Sequence, residues 1–222
     1  MNGLLSIFLS RDFDIFTIIS YLLSCALIIF VTLPLHEWAH AFVATKLGDN
    51  YPRYSGRLSL NPMVSIDYIG ALCIVLFGFG WAKPVQVEMR NFRNPKRDMA
   101  ITAFAGPLMN LLIAFVFTFI FALLVKFLTL PDMVYYFILY FILLNISLAV
   151  FNMIPIPPLD GSRILTAFLP NRIYYQIMQY ERIIAYVFIF LLFFGARLSF
   201  ISTITNFIYK GFLSLAATVV GL

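Results

Sequence analysis

The sequence predicts an all-α polytopic membrane protein: a bundle of about five to six membrane segments with a re-entrant or strand-like element near residues 69–89. Three observations carry that expectation. Of 222 residues, 62% are hydrophobic and only 11% charged, with 25 phenylalanines, whereas a soluble domain is about a quarter charged. Several apolar runs reach the roughly 20 residues that a bilayer-spanning helix needs. Hydrocarbon offers no water to open backbone groups, so the spans have to be helices. The net charge of +5 does not point to nucleic acid, because lysine and arginine fall in the loops between apolar runs rather than on one basic face. Cys25 and Cys73 lie in separate apolar stretches without a C-x-x-C partner, which leaves them packing roles.

The chain reads as one integral-membrane domain over 1–222. Residues 1–14 are too short to cross and form an interfacial N-terminus. Cleavage of a leader is not expected, since Asp12 and Asp14 flank Arg11 and the apolar run continues past Cys25. The first span runs from Ile15 to about Leu47, longer than one crossing requires, with a kink or restart expected at Pro34. Gly48-Asp49-Asn50 ends it with turn chemistry, and Tyr51 to Asp67 reads as an irregular loop. Ile69 to Trp81 is apolar but short and glycine-containing, hence re-entrant. Trp81 to Met89 alternates apolar and polar side chains and reads as extended. Residues 90–98 are the most hydrophilic of the chain and lie outside the hydrocarbon. Further spans are expected from Met99 to Leu128 and from Met133 to Ile154, the latter stopped by Pro155, Pro157 and Pro158. Ile164 to Leu169 is one short helix. The C-terminal membrane helices, 183–222, are expected to break near Gly195-Ala196-Arg197 and again at Asn206 and Lys210-Gly211.

The chemistry concentrates in His36-Glu37-Trp38-Ala39-His40, which holds both histidines of the protein. Four residues apart on a helix, two imidazoles share one face, and Glu37 stays within reach of the same small volume. Two neutral imidazoles can ligate Zn²⁺, a third protein ligand leaves one position for water, and the adjacent carboxylate can take a proton from that water. Ionisable groups beside so long an apolar run are costly unless they serve a purpose. No third histidine exists and the cysteines have no supporting pattern, so an aspartate or glutamate has to complete the site. Asp160 stands out because it follows an apolar span at a proline-stiffened turn; its competing role is to cap the helix that starts near Ser162.

Orientation follows from basic residues. If the His40 end of the first span faces the cytoplasm, Lys46, Arg53, Arg57, Lys83, Arg90, Arg93, Lys96, Arg97, Arg163, Arg172 and Arg182 lie inside, against Arg11, Lys126 and Arg197 outside. A multi-pass protein of the cell membrane is expected, its metal site toward the cytoplasmic leaflet.

His36-Glu37-x-x-His40 together with Asn152-x-x-Pro155-x-x-x-Leu159-Asp160-Gly161 resembles the paired signature of the site-2 proteases, intramembrane zinc metalloproteases. Gly106-Pro107-Leu108-Met109-Asn110 is similar to the family's Gly-Pro-x-x-Asn element, and Gly78 to Val85 looks like its compact prokaryotic branch. The resemblance covers roughly residues 30–165, which it marks as the catalytic core. It implies one Zn²⁺ per chain held by His36, His40 and Asp160, with Glu37 as general base and later proton donor. Asn152 would hold substrate or stabilise the oxyanion, although asparagines in membranes also bond neighbouring helices. Asn110 is a second candidate for substrate contact, while Asn145 reads as packing. Relatives of this branch often carry His-Ile-Asp where this chain has Ser65-Ile66-Asp67, so no auxiliary histidine is available there. No hydrophilic stretch is long enough for a PDZ-type or nucleotide-sensing module.

The segment holding Trp81, Lys83 and Val85 is expected to bind substrate. A membrane helix hides its peptide bonds, and pairing the unwound chain along an extended edge would replace the lost hydrogen bonds; an interfacial turn anchored by Trp81 and Lys83 is the alternative. The expected partners are membrane-protein substrates with a transmembrane segment, and the lipid bilayer. Self-association is compatible with the sequence, but nothing in it sets a stoichiometry. A metal-binding membrane transporter and a catalytically silent membrane-protein-binding relative are the rival classes. The transporter would need ionisable residues along a path through several spans.

Overall fold

A computed structural model describes residues 3–9, 14–194 and 199–221. Arg11 and the break expected at Gly195-Ala196-Arg197 lie outside the described residues. The helices in chain order are α1 Leu4–Leu9, α2 Ile15–Leu27, α3 Leu33–Leu47, α4 Tyr51–Tyr54, α5 Pro62–Ser65 and α6 Tyr68–Phe77. There follow α7 Pro95–Phe127, α8 Asp132–Asn152, α9 Asp160–Phe168, α10 Asn171–Gln179, α11 Glu181–Phe194 and α12 Ser199–Val220.

Among the described residues, four stretches are long and apolar enough to cross a bilayer: Ile15–Leu47, Pro95–Phe127, Asp132–Asn152 and Ser199–Val220. That is fewer than the five to six membrane segments expected from the sequence; α6 is apolar but too short to be counted among them. Asn206 and Lys210-Gly211 do not break α12. A helix with only 11% of its apolar window buried keeps its backbone bonds internal, because lipid would satisfy none of them. Large apolar side chains such as Phe16, Leu23, Phe30, Leu112, Val116 and Phe207 point away from the protein, as a lipid-facing surface requires.

Pro34 marks the change within the first long stretch. Its missing N–H and its ring would collide with a regular α-helical turn before it. The chain widens there into a π-helical turn, Ile28–Thr32, and Leu33 N–H donates to the carbonyl of Ile28, five residues back. The restart at Pro34 aims α3, with its histidines, at α7.

Two further contacts set the helix order. Ser20 and Ser24 of α2 donate to the carbonyls of Met133 and Phe137 of α8, at 2.9 and 2.8 Å. Both numbers rise together, so α2 and α8 run parallel, and the His40 end of α3 and the Asp160 turn after α8 lie at the same end of the bundle. α7 begins with Pro95 in its first turn, and buried Asp98 accepts the N–H of Asn94 at 3.0 Å, which caps the helix.

The region from 51 to 91 departs most from the expectation. Tyr51 to Asp67 contains α4 and α5 rather than a plain loop, and Asp67 caps α6 by accepting Gly70 N–H at 2.8 Å. The short helix beginning near Ile164 in the sequence reading starts at Asp160 and ends at Phe168. Beyond α6 the chain runs without helix to a 3₁₀ turn at Met89–Asn91, with Glu88 in extended conformation. No sheet partner lies along it among the described residues. Gly70 and Gly80 allow this run to pass backbone against backbone: a Cβ on either would strike main-chain oxygen, of Trp81 or of Gly70. Cys25 and Cys73 are both free and buried, as packing residues should be.

Tyr21, fully buried, ties α6 to the bundle by donating to the carbonyl of Ile74 at 3.0 Å. Tyr21→Phe should cost about 1 kcal/mol of stability, the net worth of such a bond. Thermal unfolding in detergent reads this as a lowered midpoint; an unchanged midpoint would remove the tie from the account.

Candidate metal centre

α3 carries both imidazoles on its buried face, and α7 crosses that face. Gly106 is the point of closest approach, since a Cβ there would overlap His40 Nε2 and press on the His36 ring. Only a glycine lets the two helices close far enough for α7 to support the rings from behind. His40 Nδ1 lies 2.8 Å from the carbonyl oxygen of Thr102, and His36 Nδ1 lies 3.3 Å from Asn110 Oδ1. A carbonyl can only accept, so each Nδ1 carries the ring proton and each neutral ring presents a bare lone pair at Nε2.

Those two nitrogens are 3.1 Å apart, and Asp160 Oδ2 lies 3.3 Å from both. Among the described residues no hydrogen-bond donor satisfies that oxygen. Three electron-rich atoms therefore converge in a buried space where they would repel one another without a cation between them. Four ligands at 2.0–2.2 Å around a tetrahedral ion sit about 3.3–3.6 Å from one another, so the observed spacing fits one ion. Among the described residues, His36, His40 and Asp160 form the group able to hold a metal.

Asp160 reaches this position through the turn after α8. Pro157–Pro158 is cis, and Gly161 packs so tightly on the Met153 and Ile154 backbone that a side chain there would collide. At the start of α9, Asp160 turns its Oδ2 toward both imidazoles. Glu37 is buried beside the triad and accepts the N–H of Val85 at 2.9 Å. A cleft of about 530 Å³ opens from Glu37, His40 and Asp160 along Pro84 to Met89, with Arg163 and Glu181 paired at 2.5 Å on its far wall.

The other sequence candidates divide. Val85 lines the cleft, whereas Trp81 and Lys83 do not; Lys83 N–H donates to Ser65 O at 2.8 Å instead. Asn110 is fully buried behind His36, a place for orienting the ring. Asn152 closes α8, half-buried, with no hydrogen bond to the triad or Glu37. Asn145 is buried and donates to Phe141 O within its own helix. The sequence reading missed the Thr102 carbonyl, which has no side-chain signature, and Asp49, whose helix-end position masks its contacts with distant chain.

A multi-span helical bundle with a His-His-Asp centre and a carboxylate beside it defines a membrane-embedded metallohydrolase. The family model for Peptidase family M50 matches residues 128–195. A Bacillus subtilis relative named "Putative zinc metalloprotease YwhC" is 38% identical over 159 residues, covering 68% of this chain and 71% of that one. "Putative zinc metalloprotease MJ0611" of Methanocaldococcus jannaschii is 34% identical, over 59% of this chain and 62% of its own. "Putative zinc metalloprotease Rip2" of Mycolicibacterium smegmatis is 32% identical, over 59% and 51%. No solved structure matches. The chain belongs to peptidase family M50, the site-2 proteases.

Replacing Asn110 by leucine removes the partner that orients His36 and should weaken divalent-metal affinity about 10- to 100-fold. Competition with a chelator measures it; an unchanged affinity would make Asn110 a packing residue only.

Proposed function

We propose that this membrane metalloprotease cuts substrate transmembrane segments at one Zn²⁺ held by His36 Nε2, His40 Nε2 and Asp160 Oδ2. The observation that carries the reading is the convergence of those three lone-pair atoms within 3.3 Å of one another. Two nitrogens and a carboxylate oxygen suit zinc. Zinc in such a site acidifies a water and polarises a peptide carbonyl.

Glu37 is the general base. One of its oxygens is occupied by Val85 N–H, which fixes the carboxylate and leaves the other for a water proton. The same group then returns the proton to the departing amine. Asn152, at the end of the helix that leads into the Asp160 turn, supplies an amide for the substrate or the developing oxyanion. Asn110, Trp81 and Lys83 shape the site from outside the cleft, and Val85 borders the substrate directly.

A transmembrane substrate has to unwind before its peptide bonds can be reached. The run Pro84 to Met89 lies along the cleft without a sheet partner, and an unwound segment paired with it would regain backbone hydrogen bonds beside Glu37. The catalytic core spans roughly 30–165, and the site faces the cytoplasm because the loops at its end of the bundle carry most of the lysine and arginine. The transporter alternative is disfavoured by the gathering of ionisable groups at one depth instead of along a path.

Glu37→Gln should abolish cleavage of single-span membrane substrates while zinc content stays at one per chain; retained cleavage would overturn the enzyme assignment, and loss of zinc would move Glu37 to a structural role. Proline substitutions at 85–87 should depress cleavage selectively, and unaffected cleavage at every position would remove the pairing step.

A further inference from the structure

We propose that Asp49 is a positioning residue that sets the register of the substrate-pairing segment against the metal-bearing helix, an inference that rests on the pairing reading above. Gly48, with φ 116°, ends α3 by turning the chain back, and Asp49 N–H then donates to Ala44 O at 3.0 Å. The Asp49 side chain is left with 0% exposure. Its Oδ1 accepts Tyr51 N–H at 3.0 Å and Asn91 Nδ2 at 2.7 Å, and its Oδ2 accepts Glu88 N–H at 2.8 Å.

A turn at a helix end needs only the first of these bonds. The other two reach chain about forty residues away, and a carboxylate buried among neutral donors is tolerated only where such bonds compensate its lost hydration. Gly48 belongs to the same dock, since a Cβ there would sit 3.1 Å from Asn91 O.

The second grip comes from the metal site itself, where Glu37 holds Val85 N–H. α3 and the turn that ends it therefore clasp the segment at Val85 and at Glu88–Asn91 through two acidic residues, Glu37 between the histidines and Asp49 just past the helix end. Between the grips, Gln86 and Val87 border the cleft, and neither backbone N–H has a protein acceptor among the described residues. Tyr51 OH donates to Gln86 Oε1 at 3.0 Å and ties that side chain down, which leaves the main chain of these two residues as the pairing edge. The register of the edge, and with it the peptide bond presented to Glu37, is thus set by Asp49.

The test uses the full zinc-loaded chain in detergent, comparing wild type with Asp49→Asn and Asn91→Ala. Hydrogen–deuterium exchange across 82–91 is read alongside kcat and KM on an internally quenched single-span peptide of Ala and Leu. Loss of charge-assisted bonds should speed exchange at Glu88–Asn91 about tenfold or more and raise KM several-fold, with zinc content and kcat near wild type. Val87→Pro, run in parallel, should raise KM without disturbing the dock. Unchanged exchange and KM in Asp49→Asn, with Val87→Pro impaired, overturns the role of Asp49 and leaves pairing standing. An unaltered KM in Val87→Pro overturns the pairing reading and this inference with it. Should Asp49→Asn not fold, Asn91→Ala decides, because it keeps the carboxylate and two of its three donors.

Discussion

Two imidazole lone pairs and one carboxylate oxygen, pressed together inside an apolar bundle, are the constraint that the rest of the structure serves. His36, Glu37 and His40 are all nearly inaccessible to solvent, and uncompensated polar groups at that depth cost several kcal/mol each. A divalent cation held between them would remove the repulsion and balance the Asp160 charge. The surrounding helices are arranged to keep the donors aimed at one point. α7 offers a carbonyl and an amide oxygen to the outer ring nitrogens, Gly106 gives it room to approach, and the tight turn after α8 delivers the aspartate.

The same helix that carries the ligands also anchors the chain opposite them. Glu37 takes an N–H from Val85, and Asp49 takes donors from Glu88 and Asn91 at the helix end. On the proposed function, the metal ligands on α3, the base and the substrate edge all take their positions from α3 and the turn that ends it. Such common referencing suits a reaction in which a carbonyl, a water and a proton acceptor have to meet within a few tenths of an ångström.

Much of this was legible in the sequence. Run lengths located the long spans because hydrocarbon thickness dictates them, and the four-residue spacing of the histidines placed both on one helical face. Pro34 announced a disturbance, though not that the backbone would widen into a π-helical turn upstream of it. Asp160 could be singled out from its proline-stiffened turn, but capping was also consistent with its position; its approach to both imidazoles at 3.3 Å is a tertiary contact that local sequence does not carry. Asn206 and Gly211 looked like breaks, yet a helix facing lipid has no other way to satisfy its backbone. Asp49 and the Thr102 carbonyl were illegible for a different reason. Their partners lie about forty and sixty residues away, and neither local periodicity nor turn chemistry carries such contacts.

Zinc K-edge X-ray absorption on the purified protein tests the central claim most directly. The account predicts a four-coordinate ion with nitrogen and oxygen neighbours at about 2.0–2.2 Å, multiple scattering from two imidazoles and no sulfur. A sulfur shell near 2.3 Å, a single imidazole, or a protein that holds no metal after purification without chelators would contradict it.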